Sequence, residues 1–139
     1  MLTAEIRTDL FPTEPEGDLE TCNGQPGSAF AAWLKEKLSG NGIECDEVIQ
    51  EDYGWGLWLK SNDEPIWVCV SHASEGEDED VGEGAKTWFV SANYERPFSF
   101  LMPWLWGKKK NGLEEEKRIF DLIVTCLRED SQIDIVNTN

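Results

Sequence analysis

The chain has 139 residues, which fits one domain spanning residues 1–139. Its 28 acidic and 12 basic residues give a formal net charge of −16, which repels phosphate and excludes a nucleic-acid-binding protein or one that docks on an anionic membrane. Hydrophobic residues make up 40% of the chain, enough to bury a core, and this excludes a disordered protein.

The start of the chain predicts a strand and then an irregular connection. Ile6, Leu10 and Phe11 favour a strand over Ala4–Phe11. Proline, glycine and acidic residues dominate Pro12–Gly27, a composition typical of a loop. The first residues carry no basic region followed by an apolar run, so we expect no signal peptide, and no apolar run approaches the ~20 residues of a membrane-spanning helix.

A helix is predicted over Ser28–Leu38, with Ser28 as its N-cap. Apolar side chains recur there at spacings of three and four residues, which places them on one stripe of the helix and predicts that this stripe is buried. The stripe consists of Phe30, Trp33, Leu34 and Leu38.

Four strands are predicted after this helix. In three of them large apolar side chains alternate with small or polar ones, a period of two that is typical of half-buried antiparallel strands. The strand over Ile43–Gln50 is less regular, because Val48 stands next to Ile49. The three alternating strands are Tyr53–Leu59, Ile66–His72 and Thr87–Ala92.

Residues 61–64, with the sequence Ser-Asn-Asp-Glu, stand before Pro65 and predict a turn that joins the first two alternating strands in a hairpin. The register of this hairpin decides which side chains face each other, and a slip of one residue would exchange the two faces. We predict that Lys60 faces Pro65, that Trp58 faces Trp67 and that Tyr53 faces His72.

The last third of the chain predicts an irregular segment, a second helix and a short strand. Two prolines interrupt Asn93–Gly112. Asn111 is a suitable cap for a helix over Leu113–Arg128, and Gln132–Val136 favours a final strand. The apolar face of this helix consists of Ile119, Phe120, Ile123, Cys126 and Leu127.

The order of these elements predicts an α+β fold. The simplest way to bury two amphipathic helices and the apolar sides of several strands is a two-layer sandwich, with both helices on one face of a mainly antiparallel sheet of four to six strands. Many small bacterial proteins share this layout, immunity proteins of toxin systems among them, but a likeness at the level of the fold does not fix a function.

The cysteines and the single histidine predict neither a metal site nor a cofactor. The four cysteines lie far apart, with no C-x-x-C pair, so we interpret them as reduced thiols of a cytoplasmic protein. The acidic run at residues 74–84 has only a fragment of a calcium-loop pattern, and a solvated hairpin loop is favoured over weak cation binding. The cysteines are Cys22, Cys45, Cys69 and Cys126.

His72 is the candidate for a catalytic acid or base. It ends a predicted strand near Glu51 and Asp52, which could orient its ring. Cys69 stands three residues earlier, and residues three apart on a strand point to opposite faces, so no thiol–imidazole pair is expected. A hydrogen-bonded histidine at the edge of the sheet is favoured over a catalytic group.

The seven tryptophans predict that some indoles lie at a surface or groove, because the indole N–H needs a partner. Gly54 and Gly56 leave one side of their strand bare, which would let a ligand or another backbone approach. If both helices cover the other face, the aromatic strip beside these glycines faces solvent or a partner; the alternative is that another segment of the chain covers it. The strip consists of Trp58 and Trp67, flanked by Phe89, and Tyr53 is a further candidate binding residue.

A second aromatic segment, Arg96–Trp106, precedes three lysines. It is too interrupted for a helix and too long for a simple turn, and loops of this kind are often functional. Trp104 and Trp106 would then bind a partner or a second copy of the chain, although a loop that closes the core is the favoured interpretation.

These features predict a protein-binding module with an accessory or immunity-like inhibitor role, which binds a protein partner or forms a homodimer through its aromatic residues. One alternative is a small hydrolase that uses His72 with Glu51 or Asp52. The other is an acidic mimic of DNA, which would carry carboxylates spaced like phosphates on one surface.

Overall fold

The computed structural model describes residues 1–12, 26–51, 54–73, 86–95 and 106–139, and for residues 106–110 it describes the backbone alone. Two helices and seven strands form within these ranges, so the predicted α+β class is confirmed. In chain order they are β1 (Leu2–Thr8), α1 (Ser28–Gly40), β2 (Glu44–Cys45), β3 (Ile49–Glu51), β4 (Gly54–Ser61), β5 (Glu64–His72), β6 (Lys86–Tyr94), α2 (Trp106–Glu129) and β7 (Ile133–Thr138).

The strands in the described ranges form one antiparallel sheet in the order β2-β4-β5-β6-β1-β7, with β3 also paired to β4. Within the described part of the chain the sheet has seven strands rather than the predicted four to six. One reason is that Ile43–Gln50, predicted as a single strand, forms the two short strands β2 and β3. Both pair with β4, at Leu59–Lys60 and at Gly54–Gly56 respectively.

The β4–β5 hairpin has the predicted register. Trp58 pairs with Trp67, and Lys60 pairs with Pro65. The two residues of the turn, Asn62 and Asp63, have φ values of 49° and 66°. Two-residue hairpin turns of this type need positive φ, and Asn and Asp are among the side chains that tolerate it, so the turn sequence fixes the register.

The helix starts differ from the predictions. Ser28 is the first residue of α1 rather than its N-cap; the cap is Gly27, whose φ of 139° suits glycine and whose carbonyl accepts the Ala31 N–H at 2.9 Å. The prediction that Asn111 caps a helix beginning at Leu113 is wrong, because α2 begins at Trp106. Gly112 lies inside α2 at a position where a Cβ would be 2.1 Å from the Tyr94 ring, so the packing requires a glycine there.

The first strand ends earlier than predicted, at Thr8 instead of Phe11. The Thr8 Oγ1 accepts the Leu10 N–H at 3.0 Å, a local bond that turns the chain out of the sheet. Phe11 then stacks on Phe30 with ring centroids 4.4 Å apart, and Phe30 meets the edge of Trp88 at 5.6 Å. These rings form a buried aromatic cluster between the sheet and α1.

One face of the sheet, called here the inner face, belongs to the hydrophobic core. Both helices place side chains in the same core, among them Phe30 and Leu34 from α1 and Ile119 and Ile123 from α2. Among the described residues neither helix is long and apolar enough to cross a membrane. The inner face consists of Ala4, Ile6, Trp55, Leu57, Leu59, Ile66, Val68, Val70, Trp88, Val90 and Ala92.

Candidate functional site

The opposite side of the sheet, called the outer face, is formed by the residues that alternate with those of the inner face. Trp58 and Trp67 lie on it as neighbours across β4 and β5, with ring centroids 5.1 Å apart and planes inclined by 48°. Their exposure differs: Trp58 is 36% exposed and Trp67 only 9%. The predicted pairing of these two tryptophans therefore leaves one indole open to solvent and the other largely covered.

Gly56 explains how Trp67 is covered. A Cβ on Gly56 would lie 2.5 Å from Trp67 Cζ2 and 2.7 Å from the Val68 carbonyl oxygen, so the indole lies directly over this glycine. A Cβ on Gly54 would lie 2.1 Å from the Val70 carbonyl oxygen. The close approaches predicted at both glycines thus come from groups of this chain, and the space beside Gly56 is filled by Trp67.

Ile49 is a third member of this surface, and the sequence did not reveal it. It pairs with Gly56 from β3, next to the Trp67 indole, and is 39% exposed. The predicted strand over this region had no fixed register, because Val48 and Ile49 break its alternation, so the face of Ile49 could not be assigned. Ile49, Trp58 and Trp67 together are called the Trp58 patch.

A cleft of about 370 Å³ adjoins this patch on the outer face, and Trp67 belongs to both. It crosses the three neighbouring strands β5, β6 and β1. We call it the outer-face cleft. Its lining consists of Met1, Thr3, Trp67, Cys69, Ser71, Phe89, Ser91, Asn93 and Glu95.

The cleft has aromatic ends and a polar middle. Trp67 pairs with Asn93 at one end, and Ser71 pairs with Phe89 at the other. Between them Cys69 pairs with Ser91, and the Cys69 Sγ lies 3.4 Å from the Ser91 Oγ. Phe89 is therefore separated from Trp67 by a thiol and a hydroxyl, whereas the predicted strip placed it directly beside the tryptophans.

The candidate catalytic residues lie elsewhere. His72 continues the inner-face alternation of β5, and its ring centroid is 4.9 Å from that of Trp88 in an edge-to-face contact. Glu51 pairs with Gly54 on the far side of β4, two strand spacings or roughly 10 Å from β5. Cys69 lines the outer-face cleft, on the side opposite His72, as the strand alternation predicts.

Several predicted site residues lie outside the described residues or are only partly described. Asp52, Tyr53 and Trp104 are outside them, as are Cys22 and the acidic run at residues 74–84. Trp106 is the first residue of α2, and its side chain is not described.

None of the described cysteines, Cys45, Cys69 and Cys126, forms a disulfide. Burial raises the pKa of Cys45 against the opposing effects of a hydrogen bond with Ser39 and the charge of Lys35, and burial also raises the pKa of Cys126. A raised pKa keeps a thiol protonated and weakens it as a nucleophile. In the described ranges no group of three or more His, Cys, Asp or Glu side chains could hold a metal ion.

A cluster of polar side chains joins the β4–β5 turn to α2. The Glu115 carboxylate accepts hydrogen bonds from the Ser61 hydroxyl, from Asn62 Nδ2 at 2.6 Å and from Arg118 Nε at 2.7 Å. Burial alone would raise the pKa of Glu115, but these hydrogen bonds and the Arg118 charge outweigh it and lower the pKa. These hydrogen bonds anchor the β4–β5 turn to α2.

Comparison of the chain with models of protein families, with curated proteins and with solved structures finds no match.

Proposed function

We propose that the protein is a protein-binding module with an accessory or inhibitory role, and that it binds its partner through the outer face of the sheet. The observation that carries this proposal is the Trp58 patch. Ile49 and Trp58, 39% and 36% exposed, lie on the outer face of the paired strands β3 and β4, and Trp58 contacts Trp67, which lines the outer-face cleft. Exposed apolar side chains beside a concave surface are typical of interaction sites.

The layering of the fold supports this choice of surface. In our proposal α1 and α2 both cover the inner face, as a two-layer sandwich requires, and no helix covers the outer face. The support is that side chains of both helices share one core with the inner face. The outer-face residues instead line an open cleft. The described cysteines form no disulfide, as is typical of proteins in a reducing compartment, and this supports a cytoplasmic location for the protein.

The exposed part of Trp58 is large enough to matter for binding. A tryptophan presents up to roughly 250 Å², so the 36% that is exposed amounts to roughly 90 Å². At about 25 cal/mol per Å², its burial contributes about 2 kcal/mol, or about 30-fold in Kd. Trp is also among the residue types that most often dominate binding energy at interfaces.

The partner in this proposal is a different protein rather than a second copy of the chain. Two copies with a formal charge of −16 each repel one another, which opposes a homodimer and favours a partner of opposite charge. Self-association therefore becomes one outcome of the test.

The test compares two substitutions of exposed apolar residues. Trp58→Ser changes the outer face, and Leu113→Ser changes a side chain that is 47% exposed on α2. A protein captured from lysate by the wild type is purified, and its affinity for the wild type and for each of the two variants is measured by calorimetry. We expect Trp58→Ser to weaken binding about 30-fold and Leu113→Ser to change it less than about twofold.

Two results would overturn this proposal. Equal affinity of the partner for wild type and Trp58→Ser would show that the outer face is not the binding surface. If light scattering shows a homodimer, and Trp58→Ser dissociates it, then the outer face is the binding surface but the partner is a second copy of the chain rather than a different protein.

The hydrolase and DNA-mimic alternatives stay predictions. The edge-to-face packing of His72 on Trp88 supports a packing role for this side chain over a catalytic one. If the wild type hydrolyses p-nitrophenyl esters and a folded His72→Ala variant does not, the hydrolase alternative is favoured.

A further inference from the structure

The outer-face cleft combines aromatic walls, a row of oxygen atoms and an acidic rim. From this combination we infer that the cleft receives an arginine side chain from a basic segment of the partner, with the guanidinium group held near Trp67 and Glu95. This inference rests on the proposed function, since it names the chemistry of the partner that the outer face would bind.

The size of the cleft suits one long side chain. It extends along β6 from Phe89 to Asn93, four residues or roughly 13 Å at about 3.3 Å per residue. Its volume of about 370 Å³ lies at the small end of ligand pockets. A whole folded element of a partner is too bulky for this space, whereas an extended side chain and the backbone next to it are not.

The aromatic residues favour a cation with a planar surface. Trp67 and Phe89 line the two ends of the cleft, and although Trp67 is only 9% exposed, it belongs to this lining. A guanidinium group is attracted to the face of an aromatic ring and stacks on it, with tryptophan as the best partner. An ammonium group is more strongly hydrated and does not stack, so arginine fits this wall better than lysine.

The oxygen atoms of the lining match the donors of arginine. Three hydroxyls, one side-chain amide and one carboxylate line the cleft, and all of them can accept hydrogen bonds. A guanidinium group offers five N–H donors and an ammonium group offers three. Asn93 Nδ2 donates to Glu95 Oε1, which orients the carboxylate at this end of the cleft. The hydroxyls are those of Thr3, Ser71 and Ser91.

The charges around the cleft select a cation. Glu95 is the one carboxylate of the described lining, and Glu5 pairs with Phe89 from β1. Arg7, two residues further along β1, pairs with Thr87 on one side and with Asp134 of β7 on the other. The amino group of Met1 lies 3.2 Å from Glu116 in an ion pair, so its charge is compensated. With a formal charge of −16 on the whole chain, a basic segment is drawn to this surface and an acidic one is repelled.

The test uses three capped tripeptides, Gly-Arg-Gly, Gly-Lys-Gly and Gly-citrulline-Gly, where citrulline keeps the shape of arginine without its charge. Binding is followed by two-dimensional NMR of the labelled protein, at the Trp67 indole N–H and the backbone N–H groups of Phe89 and Ser91. We expect saturable shifts at these groups, with the arginine peptide binding about tenfold more tightly than the citrulline peptide and several-fold more tightly than the lysine peptide.

Two carboxylate substitutions separate recognition from general attraction to an acidic protein. Glu95→Gln and Glu129→Gln each remove one negative charge, but Glu129 lies near the end of α2, away from the cleft lining. We expect Glu95→Gln to weaken binding of the arginine peptide about five- to tenfold and leave the citrulline peptide unchanged. Glu129→Gln is expected to behave as the wild type.

Three results would overturn the inference. They are equal binding of the arginine and citrulline peptides, shifts that avoid the cleft, and equal effects of Glu95→Gln and Glu129→Gln. The effects of Trp58→Ser and Glu95→Gln on the affinity of the purified partner then show whether only the arginine site is wrong or the proposed function as well. If Trp58→Ser weakens that complex and Glu95→Gln does not, the binding surface stands and only the arginine site fails; if neither weakens it, both fail.

Discussion

The two faces of the sheet are built by the same strands but carry opposite chemistry. Across β4, β5 and β6, one row of paired residues on the inner face is entirely apolar and 0% exposed. The next row, one residue away on each strand, carries no apolar branched side chain and faces the outer-face cleft or the Trp58 patch. The inner row is Leu57, Val68 and Ala92, and the outer row is Gly56, Cys69 and Ser91.

This difference shows where the sequence specifies the fold and where it is free to specify binding. Burial of the inner row stabilises the sheet against the helices, and any polar atom there would lose its hydration without compensation. The outer face contributes less to the core, so its side chains can present hydroxyls, a thiol and aromatic rings. A slip of one residue in register would exchange the two rows, which is why the turn at Asn62 and Asp63 matters.

The difference between the two faces is tested most directly by shortening one side chain on each face of β4 and comparing the losses of stability. Leu57 is 0% exposed, and Leu57→Ala leaves a cavity in the core, so we expect a loss of 2–5 kcal/mol, about the range for buried leucines, in the free energy of unfolding. Trp58→Ala on the next residue removes a half-open indole and its contact with Trp67, and we expect a loss of about 1 kcal/mol.

Urea denaturation of the two variants gives both values. Equal losses would contradict the comparison, because they would mean that the outer face stabilises the fold as much as the inner face does. A larger loss for Leu57→Ala, together with the weaker partner binding expected for Trp58 variants, would separate the folding residues from the binding residues along a single strand.

Much of the inner face could be predicted from the sequence. Period-two alternation places Leu57 and Val68 on the buried side, and the turn residues fix the β4–β5 register that pairs Trp58 with Trp67. These signals are local, since they depend on residues within one hairpin. The stripe of α1 is local in the same sense: Phe30, Leu34 and Leu38 are buried as its spacing predicts, whereas Trp33 of the same stripe is half-buried.

The outer-face cleft could not be predicted, because it depends on strands that are distant in the sequence. Thr3 meets Ser91 only when β1 pairs with β6, and nothing near either residue encodes that pairing. The position of Ile49 on the patch depends on the short β3–β4 pairing in the same way. The early start of α2 was hidden by Gly112, which resembles a helix breaker in the sequence but is required by contact with Tyr94.

Gly56 lies on the outer face, but its lack of a side chain is also required for the packing of the sheet. An added Cβ would lie 2.5 Å from Trp67 and 2.7 Å from a backbone carbonyl oxygen, and the backbone cannot move aside cheaply. We expect Gly56→Ala to lower the free energy of unfolding by about 1–3 kcal/mol and to displace the Trp67 indole. Urea denaturation and tryptophan fluorescence measure the two effects.

Gly40→Ala is the matched control for this substitution. It lies in the last turn of α1, where an added Cβ meets nothing within 4 Å. Alanine is the better helix former, so we expect stability to be unchanged or raised by up to about 1 kcal/mol. If Gly56→Ala leaves the free energy of unfolding as little changed as Gly40→Ala does, Trp67 can pack without a glycine at position 56. The outer face then constrains folding less than we expect.

The smallest change in stability is expected for a substitution of Glu115, through which α2 contacts the β4–β5 turn. Hydrogen bonds from Ser61, Arg118 and Asn62 lower the pKa of Glu115 despite its burial. A carboxyl group whose pKa is lowered on folding stabilises the protein above its ordinary pKa, and this contribution is lost as the pH falls through the lowered pKa. We expect Glu115→Gln to cost about 1 kcal/mol near pH 7, because Arg118 is half exposed and its ion pair is partly screened.

The pH dependence identifies this contribution as electrostatic. Measured by urea denaturation, the advantage of the wild type over Glu115→Gln is expected to be full above the ordinary pKa of a glutamate and to be lost as the pH falls through the lowered pKa of Glu115. Glu114→Gln, an exposed neighbour on α2, should change stability by less than about 0.5 kcal/mol near pH 7. A constant difference between wild type and Glu115→Gln at every pH would instead mean that Glu115 acts through its packing. In that case the turn would be anchored by shape rather than by charge, and its register would depend on Asn62 and Asp63 alone.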